Sequence, residues 1–225
     1  MNRKPSEIQK RNRRLFLEYF AKEFSNAFVL DLEEELIKQD DSSRKFIQNY
    51  NRKEIRGRVE GGLAYYSGVD ALDKICAKHE IPFNLETTNG KKGGEFGLAK
   101  TNNFILAFSN NPHISQKRTV YQIRHASLNG ELGLMQGEFD FEETIQKAVN
   151  EDECFYVTVG LKKFSQKPAS LVFHVPNADG YNMYAFYIEE LIEVINGLKD
   201  EKSTIRLDEI ESLVTLRQEI KKGNL

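Results

Sequence analysis

The spacing of apolar residues changes twice along the chain, and this order constrains the fold more than any other feature. Up to about residue 80 apolar side chains recur every three or four residues, at about 83–176 they alternate, and after about 184 the helical spacing returns. Spacings of three and four are typical of amphipathic helices, and alternation is typical of half-buried strands. Runs of strands kept apart from runs of helices favour an α+β fold. We therefore expect a central, mostly antiparallel sheet at about 83–176, packed by amino-terminal and carboxy-terminal helices.

The same pattern predicts the limits of the individual elements. Helical spacing predicts helices at about residues 6–24, 27–38, 69–79, 184–198 and 207–221. Alternation and short apolar runs predict strands at about residues 83–88, 103–109, 119–127, 154–161 and 170–175. The polar run Asp40-Asp41-Ser42-Ser43 predicts a helix break with Ser43 as the next cap, and Gly61, Gly62 and Gly68 interrupt the helical pattern. The expected organisation is a basic helical region at 1–80 and an α+β core with carboxy-terminal helices at 81–225, together one compact unit.

Charge is sorted along the chain, although the total is only −2. Residues 1–60 carry 14 Lys and Arg against 11 Asp and Glu, residues 61–130 carry 8 against 5, and residues 131–225 carry 10 against 18. A basic front half of this kind favours a polyanionic partner, because each Lys or Arg that contacts a phosphate releases a counterion. The leading hypothesis is therefore a nucleic-acid-associated protein that binds DNA or RNA through a basic amino-terminal face.

The residues predicted to bind nucleic acid form two groups. The first recurs at spacings of three and four, which would gather several of its members on one helical face: Arg44, Lys45, Arg52, Lys53, Arg56 and Arg58. The second is Lys91 and Lys92, in an expected glycine-rich turn at 89–94 where the backbone can approach a phosphate. Tyr50, Tyr65 and Tyr66 are interleaved aromatics that can stack on the bases of a single strand.

A phosphodiesterase or nuclease is the second hypothesis. His113-Ile114-Ser115 and His125-Ala126-Ser127 resemble the paired His-x-Ser/Thr elements of 2H phosphoesterases, in which two imidazoles exchange protons while a phosphate is attacked. In that family the two histidines lie in distant halves of the fold, whereas here they are 12 residues apart. The candidate catalytic residues are His113, Arg124 and His125, with the arginine as a clamp for phosphate.

A protein-interaction module is the third hypothesis. The acidic half at 131–225 can bind a basic partner or imitate the charge of DNA. In the expected last helix an apolar edge formed by Leu207, Ile210, Leu213 and Val214 docks either on the sheet or on a second subunit, so a homodimer is left open.

Several classes of function and location lack their sequence signals. Walker, Gly-x-Gly-x-x-Gly and His-Glu-x-x-His motifs do not occur, and Cys76 and His79 are only half of a zinc site, so we expect no cofactor and no metal. The chain has no apolar run of about 20 residues and no apolar segment after its basic start, so we expect no membrane contact. Cys76 and Cys154 read as reduced, buried thiols of a cytoplasmic protein. The lack of metabolic motifs favours a regulatory or defence role.

Overall fold

Four helices and six strands make up the described part of the chain. The structure is a computed structural model that describes residues 7–50, 52–91, 94–110, 125, 126, 129, 154–164, 169–177, 179 and 181–200. The helices are α1 (Glu7–Ala21), α2 (Asn26–Ile47), α3 (Lys53–Lys78) and α4 (Ile188–Asp200). The strands are β1 (Phe83–Lys91), β2 (Glu95–Lys100), β3 (Phe104–Phe108), β4 (Phe155–Lys162), β5 (Ser170–Pro176) and β6 (Asn182–Tyr187).

The six strands form one sheet in the order of the chain, β1-β2-β3-β4-β5-β6. Neighbouring strands are antiparallel except β3 and β4, which run parallel with Phe104 opposite Phe155. The α+β fold with a mostly antiparallel sheet is therefore confirmed. The sheet extends beyond the predicted end at 176, because β6 adds an edge strand.

One face of the sheet and the helices share a hydrophobic core. Alternate residues of β3 and β4 face it, including Phe104, Leu106, Phe155 and Val157, as the period of two in a strand requires. Phe16 of α1 meets Phe104 and Phe155 edge to face, with ring centroids 5.7 Å and 5.5 Å away. Edge-to-face contacts between buried rings add about 0.5–1.5 kcal/mol beyond the burial of their area. Helix α1 is thereby fixed across the middle of the sheet.

A buried asparagine side chain completes the hydrogen bonding between the ends of β4 and β5. The β4–β5 ladder ends at the Thr158–His174 pair, and two positions further the same register would oppose Tyr156 to Pro176, which has no N–H to donate. Asn129 takes that place: its Nδ2 donates to the carbonyl oxygens of Tyr156 (2.5 Å) and Pro176 (2.7 Å). Its Oδ1 accepts from the Tyr156 N–H at 3.1 Å. The buried backbone groups beside the proline are therefore satisfied.

The predicted break at Asp40–Ser43 is wrong, because α2 continues through it to Ile47. Asp40 is held by Arg44, one turn later (2.9 Å), and by Lys163 beside β4 (2.7 Å). The Ser42 hydroxyl donates to the Lys38 carbonyl, and Ser43 is buried against Ser67 of α3 with their hydroxyl oxygens 3.0 Å apart. These polar side chains usually favour the end of a helix, but here their hydrogen-bonding groups find partners within α2 and on neighbouring elements.

Helix α3 also differs from its prediction, since it begins at Lys53 rather than near 69 and runs through all four of its glycines. Gly68 packs against the ring of Phe108, where a Cβ would lie only 2.2 Å from two ring carbons. Gly57, Gly61 and Gly62 have no such neighbour, because a Cβ at each would meet nothing within 4 Å. Close packing therefore explains Gly68 and not the other three glycines.

Two further predicted elements need correction, and two others lie outside the described residues. Residues 184–187 belong to β6, and the last described helix begins only at Ile188, because β6 pairs with β5. His125 has helical backbone rather than the predicted strand. The rest of the predicted strand, apart from Ala126, lies outside the described residues, as does the whole predicted helix at 207–221. Strand β1 continues to Lys91, further than expected.

Replacing Gly68 by alanine is expected to destabilise the protein by about 1–3 kcal/mol, because the new methyl group overlaps the Phe108 ring. Gly62→Ala is the matched control on the same helix, and it is expected to stabilise by about 0.4–1 kcal/mol because its methyl group meets open space. Urea unfolding of both variants measures the two free energies. A Gly68→Ala variant as stable as the parent would contradict the packing described here.

Candidate nucleic-acid interface

The basic residues predicted from the sequence meet at the end of a helical hairpin. We call residues 44–50 and 52–60 the hairpin tip: the end of α2, its connection to α3, and the first turns of α3. The tip contains six Lys and Arg and two Glu, which makes its net charge +4. The six cations do not share one helix, since two end α2, one is the N-cap of α3 and three lie within α3. All six are exposed: Arg44, Lys45, Arg52, Lys53, Arg56 and Arg58.

The first turn of α3 presents backbone N–H groups beside these cations. Its N-cap is Arg52, whose side chain makes no capping hydrogen bond and has only donors to offer. The first N–H groups of a helix have no partner within the helix, and the helix dipole places about half a positive charge there. Cations in a first turn therefore lie where the dipole disfavours them, whereas an anion is favoured on both counts.

Two of the six cations also make contacts within the hairpin. The Arg44 Nε lies 2.9 Å from the Asp40 carboxylate, one turn earlier in α2. The Arg56 Nε donates to the carbonyl oxygen of Tyr50 in the connection. These contacts hold both guanidinium groups near the tip while leaving them exposed.

Apolar side chains stand among the cations of the tip. Phe46 is 50% exposed and Ile55 is 42% exposed. The Phe46 ring meets the half-buried Tyr50 ring edge to face, with centroids 5.9 Å apart.

Of the other two tyrosines predicted to stack on bases, Tyr66 is exposed, whereas Tyr65 packs near Phe108 and burial raises its pKa to about 12. Tyr50 and Tyr66 therefore remain accessible, and Phe46 is an aromatic of the tip that the sequence reasoning missed.

The remaining predicted site residues are only partly described. Lys91 ends β1, while its side chain and all of Lys92 lie outside the described part of the chain. His113 and Arg124 also lie outside it, so no geometry connects the three predicted catalytic residues. His125 alone is placed: its Nε2 lies 3.6 Å from a carboxylate oxygen of Glu86, and its ring stacks on Tyr156 at 6.0 Å.

A cleft beside the tip was not predicted. It has a volume of about 310 Å³ and lies between α2, α3 and the ends of β3 and β4. Its lining combines apolar, polar and glycine residues: Leu36, Gln39, Asp40, Gly57, Glu60, Gly61, Ala64, Ser67, Gly68, Phe108, Asn110, Leu161 and Lys163. The one sequence signal was the spacing of Gly57, Gly61, Ala64 and Gly68, which repeats every three or four residues along one helical face.

Ion pairs join α2 to α3 below the tip and so set its position. The buried Glu35 carboxylate lies 2.8 Å from Lys74 Nζ, and it also accepts from Gln39. These hydrogen bonds, with the charge of Lys38, lower the pKa of Glu35. Further along, Asp31 lies 2.7 Å from Lys78 and 2.6 Å from His79, and these hydrogen bonds lower the pKa of Asp31.

Comparison with known proteins adds no relative to this geometry. No model of a protein family, no curated protein and no solved structure matches the chain. No helix in the described residues combines the length and the apolar character needed to span a membrane. Within the same residues, no three His, Cys, Asp or Glu side chains gather to hold a metal ion.

Glu35→Gln is expected to lower the free energy of unfolding at pH 7 by about 1 kcal/mol, because the ion pair with the Lys74 ammonium is replaced by a hydrogen bond from that ammonium to a neutral amide. A carboxylate with a lowered pKa stabilises the fold above its unfolded pKa of about 4.3, and this stabilisation is lost as the pH falls through the folded pKa. The difference between the two proteins should therefore shrink below about pH 4.

Urea unfolding at several pH values measures this difference. Glu34→Gln is the control, since Glu34 is exposed on the same helix. A gap between Glu35→Gln and the parent that stays constant down to pH 2.5 would contradict the assigned role of Glu35.

Proposed function

We propose that this protein binds single-stranded nucleic acid through the hairpin tip. The observation that carries the proposal is the placement of Arg52 and Lys53 at the start of α3, where an arginine takes the place of a capping residue and Glu54 is the one acidic residue of the first turn. A carboxylate or hydroxyl cap would satisfy the first N–H groups of α3, and a phosphate oxygen can do the same. The phosphate would meanwhile be neutralised by Arg52, Lys53 and Arg56.

The energetics of the helix terminus support a polyanionic partner. A charge of the wrong sign in the first turn of a helix destabilises it by about 0.3–1 kcal/mol when exposed. Arg52 and Lys53 are therefore electrostatically unfavourable in the free protein. A bound phosphate makes the electrostatic energy at this helix terminus favourable instead. Lys45 at the end of α2 extends the charge across the connection, so that several phosphates of one strand can be contacted together.

The exposed rings favour a single strand over a duplex. Phe46 is half exposed and contacts Tyr50 within a surface that carries cations on both helices. Bases of a single strand stack on such rings with about 1–3 kcal/mol per base, whereas the base faces of a duplex are occupied by their neighbours. A regulatory or defence role for this binding remains a prediction from the sequence, and so does a cytoplasmic location.

The double variant Arg52→Glu, Lys53→Glu is expected to weaken binding to a single-stranded oligonucleotide at least tenfold. Loss of two phosphate contacts should also reduce the slope of log K against log salt by about 1.4. The helix should remain intact because carboxylates are favourable in a first turn. Fluorescence anisotropy with DNA and RNA probes at several salt concentrations measures both quantities, and circular dichroism checks the fold.

The control is Arg11→Glu, Lys100→Glu, which changes the net charge equally at two exposed positions away from the tip. Equal losses in both double variants would show that total charge matters and the tip does not. Absence of binding by the parent protein at low salt would overturn the proposal outright. Gel analysis of the recovered probe shows whether it is cleaved, as the phosphodiesterase hypothesis requires.

A further inference from the structure

The cleft beside the tip has an apolar floor and one side formed by helix backbone. Leu36, Phe108 and Leu161 supply apolar lining from α2, β3 and β4. On α3 the lining consists of Glu60 and of residues with small side chains or none, including Gly57, Gly61 and Ala64. At about 310 Å³ the volume is at the lower end of small-molecule sites. A flat group can therefore enter between the apolar floor and the peptide groups of α3.

Packing within the protein does not explain two of the glycines in this lining. A Cβ at Gly57 or Gly61 would meet nothing within 4 Å, in contrast to Gly68, where the Phe108 ring leaves no room. Glycine inside a helix is less stable than alanine, so an unpacked glycine needs another reason. Close approach of a bound group to the helix backbone is such a reason, because a methyl group at Gly61 would occupy space in the cleft.

The polar lining includes a buried hydrogen-bond acceptor that has no donor within the described residues. Asn110 donates from Nδ2 to the carbonyl oxygen of Gly61 at 2.9 Å, which fixes its amide beside the glycines. Its Oδ1 is buried, and it accepts no hydrogen bond within the described residues. A buried acceptor without a donor is destabilising, and a ligand N–H would satisfy it.

Cations stand at the edge of this cleft. Asp40, which lines it, is held by Arg44 at 2.9 Å and by Lys163 at 2.7 Å. Arg56 and Arg58 are exposed on either side of Gly57 in the chain. The lining also contains the carboxylate residue Glu60, whereas Arg44, Arg56 and Arg58 are residues of the tip outside the lining. An apolar slot with a buried acceptor inside and exposed arginines of the tip near its entrance suits a nucleotide, with a heterocyclic base within and its phosphate outside.

We propose that this cleft binds the base of a nucleotide while Arg44, Arg56 and Arg58 hold its phosphate. The base lies against the backbone at Gly57 and Gly61, and one of its N–H groups donates to Asn110 Oδ1. The nucleotide is either a unit of the strand bound by the tip or a free nucleotide. The first source rests on the proposed function, and the second does not.

Gly61→Ala tests the cleft without threatening the fold, because alanine favours the helix. Its matched control is Gly62→Ala, which has the same open surroundings but does not line the cleft. Both variants should raise the melting temperature by about 2 °C. Gly61→Ala alone is expected to weaken binding of an intact oligonucleotide about tenfold, while both variants keep the parent's affinity for an oligonucleotide with abasic sites.

Titration with free purine and pyrimidine nucleoside monophosphates distinguishes the two sources. Binding of monophosphates that is weakened by Gly61→Ala and not by Gly62→Ala supports the cleft, even if no strand binds and the proposed function fails. Strand binding that is equal for intact and abasic oligonucleotides and insensitive to Gly61→Ala, with no binding of monophosphates, overturns the inference and leaves the proposed function standing. Absence of all binding overturns both.

Discussion

The rest of the structure depends on the packing of aromatic side chains of α1 into one face of the sheet. Phe20 contacts rings from three strands, with centroids 5.0 Å from Phe104, 5.4 Å from Phe173 and 5.3 Å from Phe186. These are the third, fifth and sixth strands of the sheet, so one helix residue ties β3, β5 and β6 together. Protein interiors are densely packed, so a buried phenylalanine ring can shift very little. The position of α1 on the sheet therefore limits where the other helices can pack.

The length of α2 and α3 then determines which residues stay outside the core. Helix α3 has 26 residues, about 39 Å at 1.5 Å per residue, but its buried residues begin only at Gly68. Its first half therefore extends past the sheet, and charges there remain in water. The same overhang creates the cleft, because α3 leaves the strand ends where its side chains become small. The tip and the cleft are thus two consequences of one helix being longer than the core beneath it.

The sequence was sufficient where local pattern and tertiary environment agree. Strands β3, β4 and β5 were predicted because alternation or an apolar run matches their buried faces, and the fold class followed from their order. The predicted helix boundaries were wrong where distant contacts override local preference. Lys163, about 120 residues away in the chain, pairs with Asp40 and stabilises its helical conformation. The cations of the tip were identified from the charge run alone. The cleft was not predicted, because its lining residues, from Leu36 to Lys163, come from four elements. A local sequence pattern does not show which distant residues come together in the fold.

The pairing of β3 with β4 has a consequence for how the chain is made. These parallel neighbours are separated by residues 109–154, so their contact closes a long loop, and contacts of high sequence separation slow folding. Synthesis on a ribosome proceeds from the amino terminus. The aromatic face of α1 therefore emerges before its partners on β4, β5 and β6. Until β4 is synthesised, a nascent chain of this protein must carry Phe16 and Tyr19 without their partner on that strand, and uncovered aromatic side chains are the kind of surface that chaperones bind.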